Sequence, residues 1–436
     1  MYILSNQVSL LKKDSYIYLY NWFNGVGVSI DKGYIRSVDS KKIKFSDSFS
    51  MDNINSLIDN FFISKSGINM NFYKKFFSDH ITKEESRIHL ILLPAGYLCN
   101  FNCKYCYENH VGEIYKENYI PKIMEFIKKF DPKQLSVEYF GGEPLLNYRW
   151  IIDFQKKNNN TVASMTTNGY FLDRKKLLSL IDTGVKSYQI TLDGMAEDHN
   201  ALRPTADGKE TWKTIIKNLK DAKTLDKQFA FTIRINFNEK TANNILTKSF
   251  FDELNFIKND PRFRLIFRPI SLYSERNGTT TQEKIDVCHR GKKSALLFAL
   301  EEEAQKAGFL LGDLTMLSNP GGLVCYASKK YSYMISPTLD VLKCTISVDK
   351  DFNNFGPIDH IDKNKIFEWS KFSIRFNENC TNCFLFFQCM GRSCALKNFH
   401  SRTSVCPSHV DENLMVEKII RQKQLLKEMI HHAKAI

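Results

Sequence analysis

Two observations predict an α/β protein built on a parallel sheet, with a thiol-rich final third organised differently. The first is an alternation. Apolar runs at 89–94 (HLILLP), 135–140 (LSVEYF), 161–166 (TVASMT), 186–192 (KSYQITL), 229–237 (FAFTIRINF) and 264–268 (RLIFR) are separated by stretches such as YIPKIMEFIKKF, DRKKLLSLIDTG and TWKTIIKNLKDAK, whose apolar residues recur at helical spacing. The second is a crowd of cysteines beyond residue 300, at Cys325, Cys344, Cys380, Cys383, Cys389, Cys394 and Cys406. Six strand–helix units give a sheet that is either open or curled into a partial barrel. In both forms chemistry belongs at the C-terminal ends of the strands.

Taken in order, residues 1–88 read as a small α+β unit. YIYLY (16–20) and VGVSI (26–30) flank a loop ending in Asn24-Gly25, a hairpin signal. Ile54, Leu57, Ile58, Phe61 and Phe62 then follow at helical spacing. Such a unit is suited to binding an extended peptide or to capping the next domain. The barrel region is expected over 89–300, the cysteine-rich region over 301–412 and an amphipathic helix over 413–436.

At 436 residues, with 43% hydrophobic and 25% charged residues, the chain can bury the cores of two to three domains. No apolar run spans a membrane, and the N-terminus MYILSNQVSLLKKDS lacks the layout of a secretory signal, so a cytoplasmic location and no membrane partner are expected. Eleven cysteines, an odd number in a chain too large to need staples, point to metal ligation over a disulfide framework. The net charge of +13 comes from lysines dispersed among acidic residues, a solvated surface more than a nucleic-acid footprint.

The loop after the first strand reads CNFNCKYCY, with thiols at Cys99, Cys103 and Cys106. Structural zinc wants four ligands, usually in two pairs, and only His110 is a nearby fourth. An iron–sulfur cube held by three cysteines keeps one iron open to a small molecule. The spacing, at this place in the fold, favours the cube. CxxxCxxC, with Tyr105 as the aromatic before the last cysteine, resembles the signature of radical S-adenosylmethionine (SAM) enzymes.

Companion motifs extend the resemblance. The second strand ends in Gly141-Gly142-Glu143-Pro144, similar to the family's GGEP: two glycines allow close backbone approach to a ligand, and Glu143 offers an acceptor for the SAM ammonium group. The third strand ends in Thr166-Thr167-Asn168-Gly169 and the fourth in Thr191-Leu192-Asp193-Gly194, similar to TNG and SLDG. His199 and Arg203 match the HDxxR that follows SLDG in many relatives, but Asn200 replaces the aspartate, which confines the element to a structural role. On the fifth strand Thr232, Arg234 and Asn236 share one face, and Arg234 could meet the SAM carboxylate.

The final cysteines resemble the SPASM extension of radical SAM peptide-modifying enzymes. Leu339 stands where that pattern has glycine, and four residues, not three, separate Cys389 from Cys394. The resemblance implies one auxiliary [4Fe-4S] cluster at Cys380, Cys383, Cys389 and Cys406 and another at Cys325, Cys344 and Cys394, with Cys288 unassigned. Phe384-Leu385-Phe386-Phe387 would shield a cluster or simply pack a core.

The implied architecture is a partial (β/α)6 TIM-like radical SAM barrel with a small N-terminal α+β unit and a C-terminal SPASM domain. The implied activity is reductive cleavage of SAM to a 5′-deoxyadenosyl radical that takes hydrogen from a ribosomally made precursor peptide carrying a leader, to install C–C cyclophane or ether crosslinks. A flavodoxin- or ferredoxin-type electron donor is implied as well. Thioether formation is an alternative, and so is sulfatase maturation, although Thr345 stands where those maturases carry an aspartate. A zinc-binding nucleic-acid protein would leave the strand-end motifs without a role.

Overall fold

The computed structural model describes residues 1–436 apart from 6, 40–41, 66–74, 76–77, 81–82, 84, 159–160, 271–289, 318, 349, 372–382, 393, 397–410 and 435–436. Two compact units emerge. One comprises residues 1–85, 313–330 and 366–424; the other comprises 86–312, 331–365 and 425–436. No helix of the described residues is long and apolar enough to cross a membrane.

The second unit is built on strands β1 (Arg87–Leu92), β2 (Gln134–Tyr139), β3 (Val162–Thr167), β4 (Val185–Leu192), β5 (Ala230–Phe237) and β6 (Phe263–Pro269). They lie side by side in chain order and every pairing is parallel. Each crossover therefore steps one place in the same direction, and right-handed crossovers put the helices on one face while the other curls inward. The result is a partial (β/α)6 barrel. Three further strands, β7 (Ser332–Ile335), β8 (Asp340–Leu342) and β9 (Asn354–Pro357), extend the sheet beyond β1, the first parallel to it and each of the next two antiparallel to the strand before it. That stretch falls inside the region 301–412 expected to be organised by its cysteines. Its strands are short and find their partner only through the distant β1.

Strand periodicity separates the two faces of the sheet. On β5, Phe231, Ile233, Ile235 and Phe237 are fully buried on the helix-facing side. Gly169 marks that side as well, lying against Ile190 and against Ile215 of the helix Trp212–Lys223. The inner face carries polar residues in register across the strands: Thr166, Gln189, Thr232 and Arg264 form one row, and Thr191, Arg234 and Ile266 the next towards the C-terminal ends. A sheet covered on one face and polar on the other is a vessel for a polar ligand.

In the first unit the predicted hairpin is present, Tyr16–Asn21 pairing antiparallel with Val26–Asp31, while Val8–Lys13 completes a three-stranded sheet. Leu19, Ile43, Ile54, Leu57, Phe62 and Ile63 form its core. The helix expected through Phe62 ends earlier. It spans Met51–Asp59, capped by the Ser50 side chain on the Asn53 N–H. Phe61 turns left-handed at φ 58°, and the Phe62 and Phe61 amides donate to the Leu57 and Ile58 carbonyls at 2.9 Å each, a Schellman closure built on phenylalanine. Periodicity alone does not reveal that stop, because Phe62 is buried after the turn as it would be inside a helix. Phe384 packs on Trp22 at 5.0 Å and Phe387 on Phe23 at 4.8 Å, so the aromatic run at 384–387 does pack a core. The C-terminal helix spans Glu412–Lys434.

Candidate active site

The loop carrying Cys99, Cys103 and Cys106 leaves the C-terminal end of β1 and is gripped by backbone on two sides. A strap at 202–206 pairs with it: Asn102 N–H donates to Pro204 O at 2.9 Å, Lys104 N–H to Leu202 O at 3.0 Å, and Ala206 N–H to Asn100 O at 2.8 Å. On the other side Gly142 N–H donates to Gly96 O at 3.1 Å and Glu143 N–H to Leu98 O at 2.8 Å. A Cβ at Gly141 would stand 2.3 Å from Gly96 O, and one at Gly142 2.1 Å from Leu98 O. The two glycines are thus required by the close approach of the cysteine loop's own backbone, where the sequence suggested approach to a ligand.

Pro144 opens the short 3-10 turn Pro144–Asn147, and Glu143 just before it is fully buried. Its carboxylate accepts from Leu145 N–H at 3.0 Å, Thr167 Oγ1 at 2.7 Å and Asn168 N–H at 2.8 Å, tying the end of β2 to the end of β3. Burial pushes its pKa up, against these hydrogen bonds and the charge of Arg203. A carboxylate accepts about four hydrogen bonds, so one position on Oε2 is left for an ammonium donor. Asn168 then reaches the cysteine loop, Nδ2 donating to Asn100 Oδ1 at 2.8 Å and lying 3.9 Å from Cys99 Sγ.

Tyr105 is the hub of a second knot. Its hydroxyl donates to Asp193 and accepts from Arg203 Nη1 at 2.8 Å and Asn236 Nδ2 at 2.9 Å. Arg234 Nε donates to Asn236 Oδ1 at 2.8 Å, while Thr191, beside it in register, is buried. Burial raises the pKa of Asp193, opposed by the charges of Arg203 and Arg234 and by the Tyr105 hydrogen bond. Asp193 N–H donates to His199 Nδ1 at 3.2 Å; His199 Nε2 lies 3.1 Å from Thr211 Oγ1, which donates to Arg203 O at 2.8 Å. The imidazole is therefore neutral with its proton on Nε2, and burial holds its pKa well below 6.5. Asn200 Oδ1 accepts the Thr211 and Trp212 amides at 3.1 and 3.0 Å, capping the helix that follows. Arg203, at the end of the HDxxR spacing, brings its guanidinium to the Tyr105 hydroxyl and to 5.7 Å from the Phe101 ring centroid, so it braces the cysteine loop as His199 and Asn200 brace the helix start.

This donor set suits the groups that the resemblance implies. Burial pushes Cys99 up to about 12 and Cys103 to about 11, with the neighbouring thiols adding to the rise. A cationic centre would reverse that cost by binding the thiolates. Cys106 Sγ meets His110 Nε2 at 3.4 Å. Among the described residues no three His, Cys, Asp or Glu side chains converge tightly enough for a single metal ion. Asp193 Oδ1 and Arg203 Nε are buried without a hydrogen-bond partner among the described residues, an acceptor and a donor beside Tyr105 that fit a polar cofactor such as SAM.

The other cysteines divide between the units. In the first unit, Cys325 and Cys394 lie within electrostatic reach of each other, and burial raises Cys325 while the amides of Ala327, Ala395 and Ser328 oppose the rise. Cys383 precedes the turn Phe386–Cys389, and Cys389 ends it, in that same unit. The extra residue before Cys394 follows a left-handed turn at Met390 and Gly391. Cys344 belongs to the second unit, where buried Asn353 binds Lys343 N–H, Cys344 N–H, Cys344 O and Ser347 O at 2.8–3.1 Å. Cys288, Cys380 and Cys406 lie outside the described residues.

Residues 93–239 match the family described as the Radical SAM superfamily. The chain carries a radical SAM domain. Over 293 residues it is 28% identical to the radical SAM cyclopropyl synthase TigE of Paramaledivibacter caminithermalis, a match covering 58% of this chain and 59% of that relative's own length. Among solved structures, the radical SAM fold is shared with native anSMEcpe with bound AdoMet and Cp18Cys peptide, at 19% identity and TM-score 0.55 over 80% of this chain and 99% of that one. It is shared also with SuiB of Streptococcus suis, at 15% identity and TM-score 0.50 over 92% and 97%.

Proposed function

We propose that this protein is a cytoplasmic radical SAM peptide maturase that installs side-chain crosslinks, C–C cyclophane or ether, in a ribosomally made precursor peptide. The observation that carries the reading is the cysteine loop at the C-terminal end of β1, strapped by 202–206 and braced by Glu143, at the mouth of a polar-lined barrel. Cys99, Cys103 and Cys106 would hold the [4Fe-4S] cluster, while Glu143, Asn168, Asp193 and Arg234 would orient SAM. When bound, cluster and SAM supply an electron and a carbon-centred radical that takes hydrogen from the peptide. Tyr105 and Arg203 keep the loop registered on the ends of β4 and β5.

A peptide substrate is supported by the peptide bound in the similar anSMEcpe structure. The edge strand Val26–Asp31 in residues 1–88 suits leader recognition, because an extended segment can add to such an edge. Cys380, Cys383, Cys389 and Cys406 would hold an auxiliary cluster that accepts the electron released on bond formation. A flavodoxin or ferredoxin would supply the first electron. The likeness to TigE favours a second reading, formation of a cyclopropyl ring.

The test is anaerobic purification with iron and sulfide assay, then incubation with SAM, a reductant and the peptide encoded beside the gene. Loss of about two hydrogens per new bond is expected for a carbon–carbon crosslink and for a cyclopropyl ring, whereas a hydroxyl or oxygen balance would point to ether chemistry. Tandem mass spectrometry separates them, since a crosslink blocks fragmentation between two residues and a cyclopropyl ring does not. Protein that binds zinc and leaves SAM intact would end the proposal.

A further inference from the structure

The inner face of the barrel holds a cation for which the cofactor reading has no use. Arg264 lies on β6, paired with Thr232, in the row that runs through Gln189 to Thr166. Its side chain is only partly exposed, and it makes no hydrogen bond or ion pair with any described residue. Burial lowers its pKa, and no neighbouring carboxylate opposes that. The contrast with Arg262 two residues earlier is sharp. Arg262 is fixed by Asp260 at 2.7 Å and by the carbonyls of Lys223 and Leu225 at 2.9 and 2.6 Å.

From this we infer that Arg264, with Thr232 and Gln189 beside it, is a carboxylate-binding subsite of the barrel interior, which receives an acidic group of the peptide substrate. A half-buried guanidinium that none of the described residues satisfies costs stability, so the position makes sense where a ligand supplies the anion. The inner faces of β4, β5 and β6 present Ser187, Gln189, Thr191, Thr232 and Asn236 but no carboxylate. Glu138 of β2 is on the same face of the sheet, but it is engaged by Thr166 at the far end of the row and does not offset the burial of Arg264, so the anion is to be supplied by a ligand. Guanidinium matches carboxylate through two parallel hydrogen bonds, and the flanking hydroxyl and amide add neutral donors. SAM is the other source of a carboxylate, and strand geometry argues against it. Arg234 occupies the row nearer the cysteine loop; Arg264 lies one row deeper, about 7 Å further from it.

This inference rests on the peptide-maturase reading, and its test separates the two. Anaerobically reconstituted wild-type, Arg264→Gln and Arg264→Lys proteins are titrated by ligand-observed NMR with three blocked probes: N-acetyl-aspartate amide, N-acetyl-asparagine amide, and N-acetyl-alanine with a free C terminus. The wild type should prefer a carboxylate-bearing probe over the asparagine probe by about tenfold. The preference should vanish in Arg264→Gln and survive in part in Arg264→Lys. Preference for the aspartate probe assigns the subsite to an acidic side chain; preference for the alanine probe assigns it to a peptide C terminus. Equal affinity for acid and amide, or a preference that persists in Arg264→Gln, overturns the inference. So does a loss of SAM affinity in Arg264→Gln with probe binding unchanged, because Arg264 then serves the cofactor. Arg264→Gln should unfold at the same temperature as the wild type or higher, which excludes misfolding as the cause. SAM cleavage by the wild type reports on the maturase reading separately.

Discussion

The two cysteine-bearing loops of the barrel unit solve the same problem in opposite ways. The Cys99–Cys106 loop is held from outside, by main-chain pairing with the strap at 202–206 and by the Gly142–Glu143 backbone. The Cys344 turn is held from within by one buried side chain, Asn353, whose amide meets four main-chain groups. A loop whose thiols must face a cavity cannot fill its own centre, so its support comes from neighbours. A turn with one thiol can be organised around a plug. Function in the first should therefore be lost through the thiols and their electrostatics, and stability in the second through a single amide.

The largest effect should come from the thiols. Cys103→Ala is expected to remove about four iron atoms per chain and to abolish 5′-deoxyadenosine formation, read by iron assay and chromatography. Retained iron and undiminished turnover would show that the loop is not the cluster site. Next is Arg203→Met, which leaves buried Asp193 with Arg234 as its remaining nearby cation and should destabilise the protein by about 3 kcal/mol in urea unfolding. Arg203→Lys should recover part of that loss. Asn353→Ala strands main-chain groups inside the Cys344 turn at about 1–3 kcal/mol each, softened by water entry, so a net loss of about 2–3 kcal/mol is expected with the first loop's iron intact. If Asn353→Ala also depletes that iron, the two loops are coupled and the comparison fails.

Much of the barrel was legible because its signal is local. Each apolar run falls on a strand, and the strand-end residues Glu143, Asn168 and Asp193 meet the cysteine loop or its Tyr105. What could not be read depends on partners far along the chain. The strap has no apolar periodicity; it is defined only by an isolated bridge from Thr205 to Phe101 and by backbone hydrogen bonds to residues 100–104. Asn353 is an ordinary polar residue until the turn closes around it. Residues 332–357 look like part of the cysteine-rich region because the strand that claims Ser332–Ile335 is β1, more than two hundred residues earlier. Arg203 was visible in spacing, yet its role required seeing that Tyr105 points at it.

His199 extends the first loop's support into the pH dimension. Its pKa in the folded state is held well below 6.5, so below that pH the unfolded chain binds a proton that the native chain refuses. Stability should be fully present above about pH 6.5 and drain as pH falls, by at most about 1.4 kcal/mol per pH unit. In His199→Gln this part of the slope should disappear. Nitrogen NMR of the wild type should report a neutral ring with the proton on Nε2 at pH 7; a charged ring would contradict the Thr211 hydrogen-bond chain.

The smallest effect concerns the second loop's approach. Leu339 occupies the position where the cysteine pattern has glycine, and its φ of +65° is the left-handed conformation that glycine adopts without cost. The departure in sequence has left the backbone requirement in place, and leucine meets it at roughly 1–2 kcal/mol of strain. Its side chain is nonetheless 6% exposed, and that burial returns about 2 kcal/mol. Leu339→Gly gains the first and forfeits the second, so the net change should lie within about 1 kcal/mol of zero. Leu339→Ala keeps the strain and loses most of the burial, and should be the less stable of the two. The reverse order in thermal unfolding would mean that the turn does not hold this conformation in solution, and the glycine of the pattern would need another explanation.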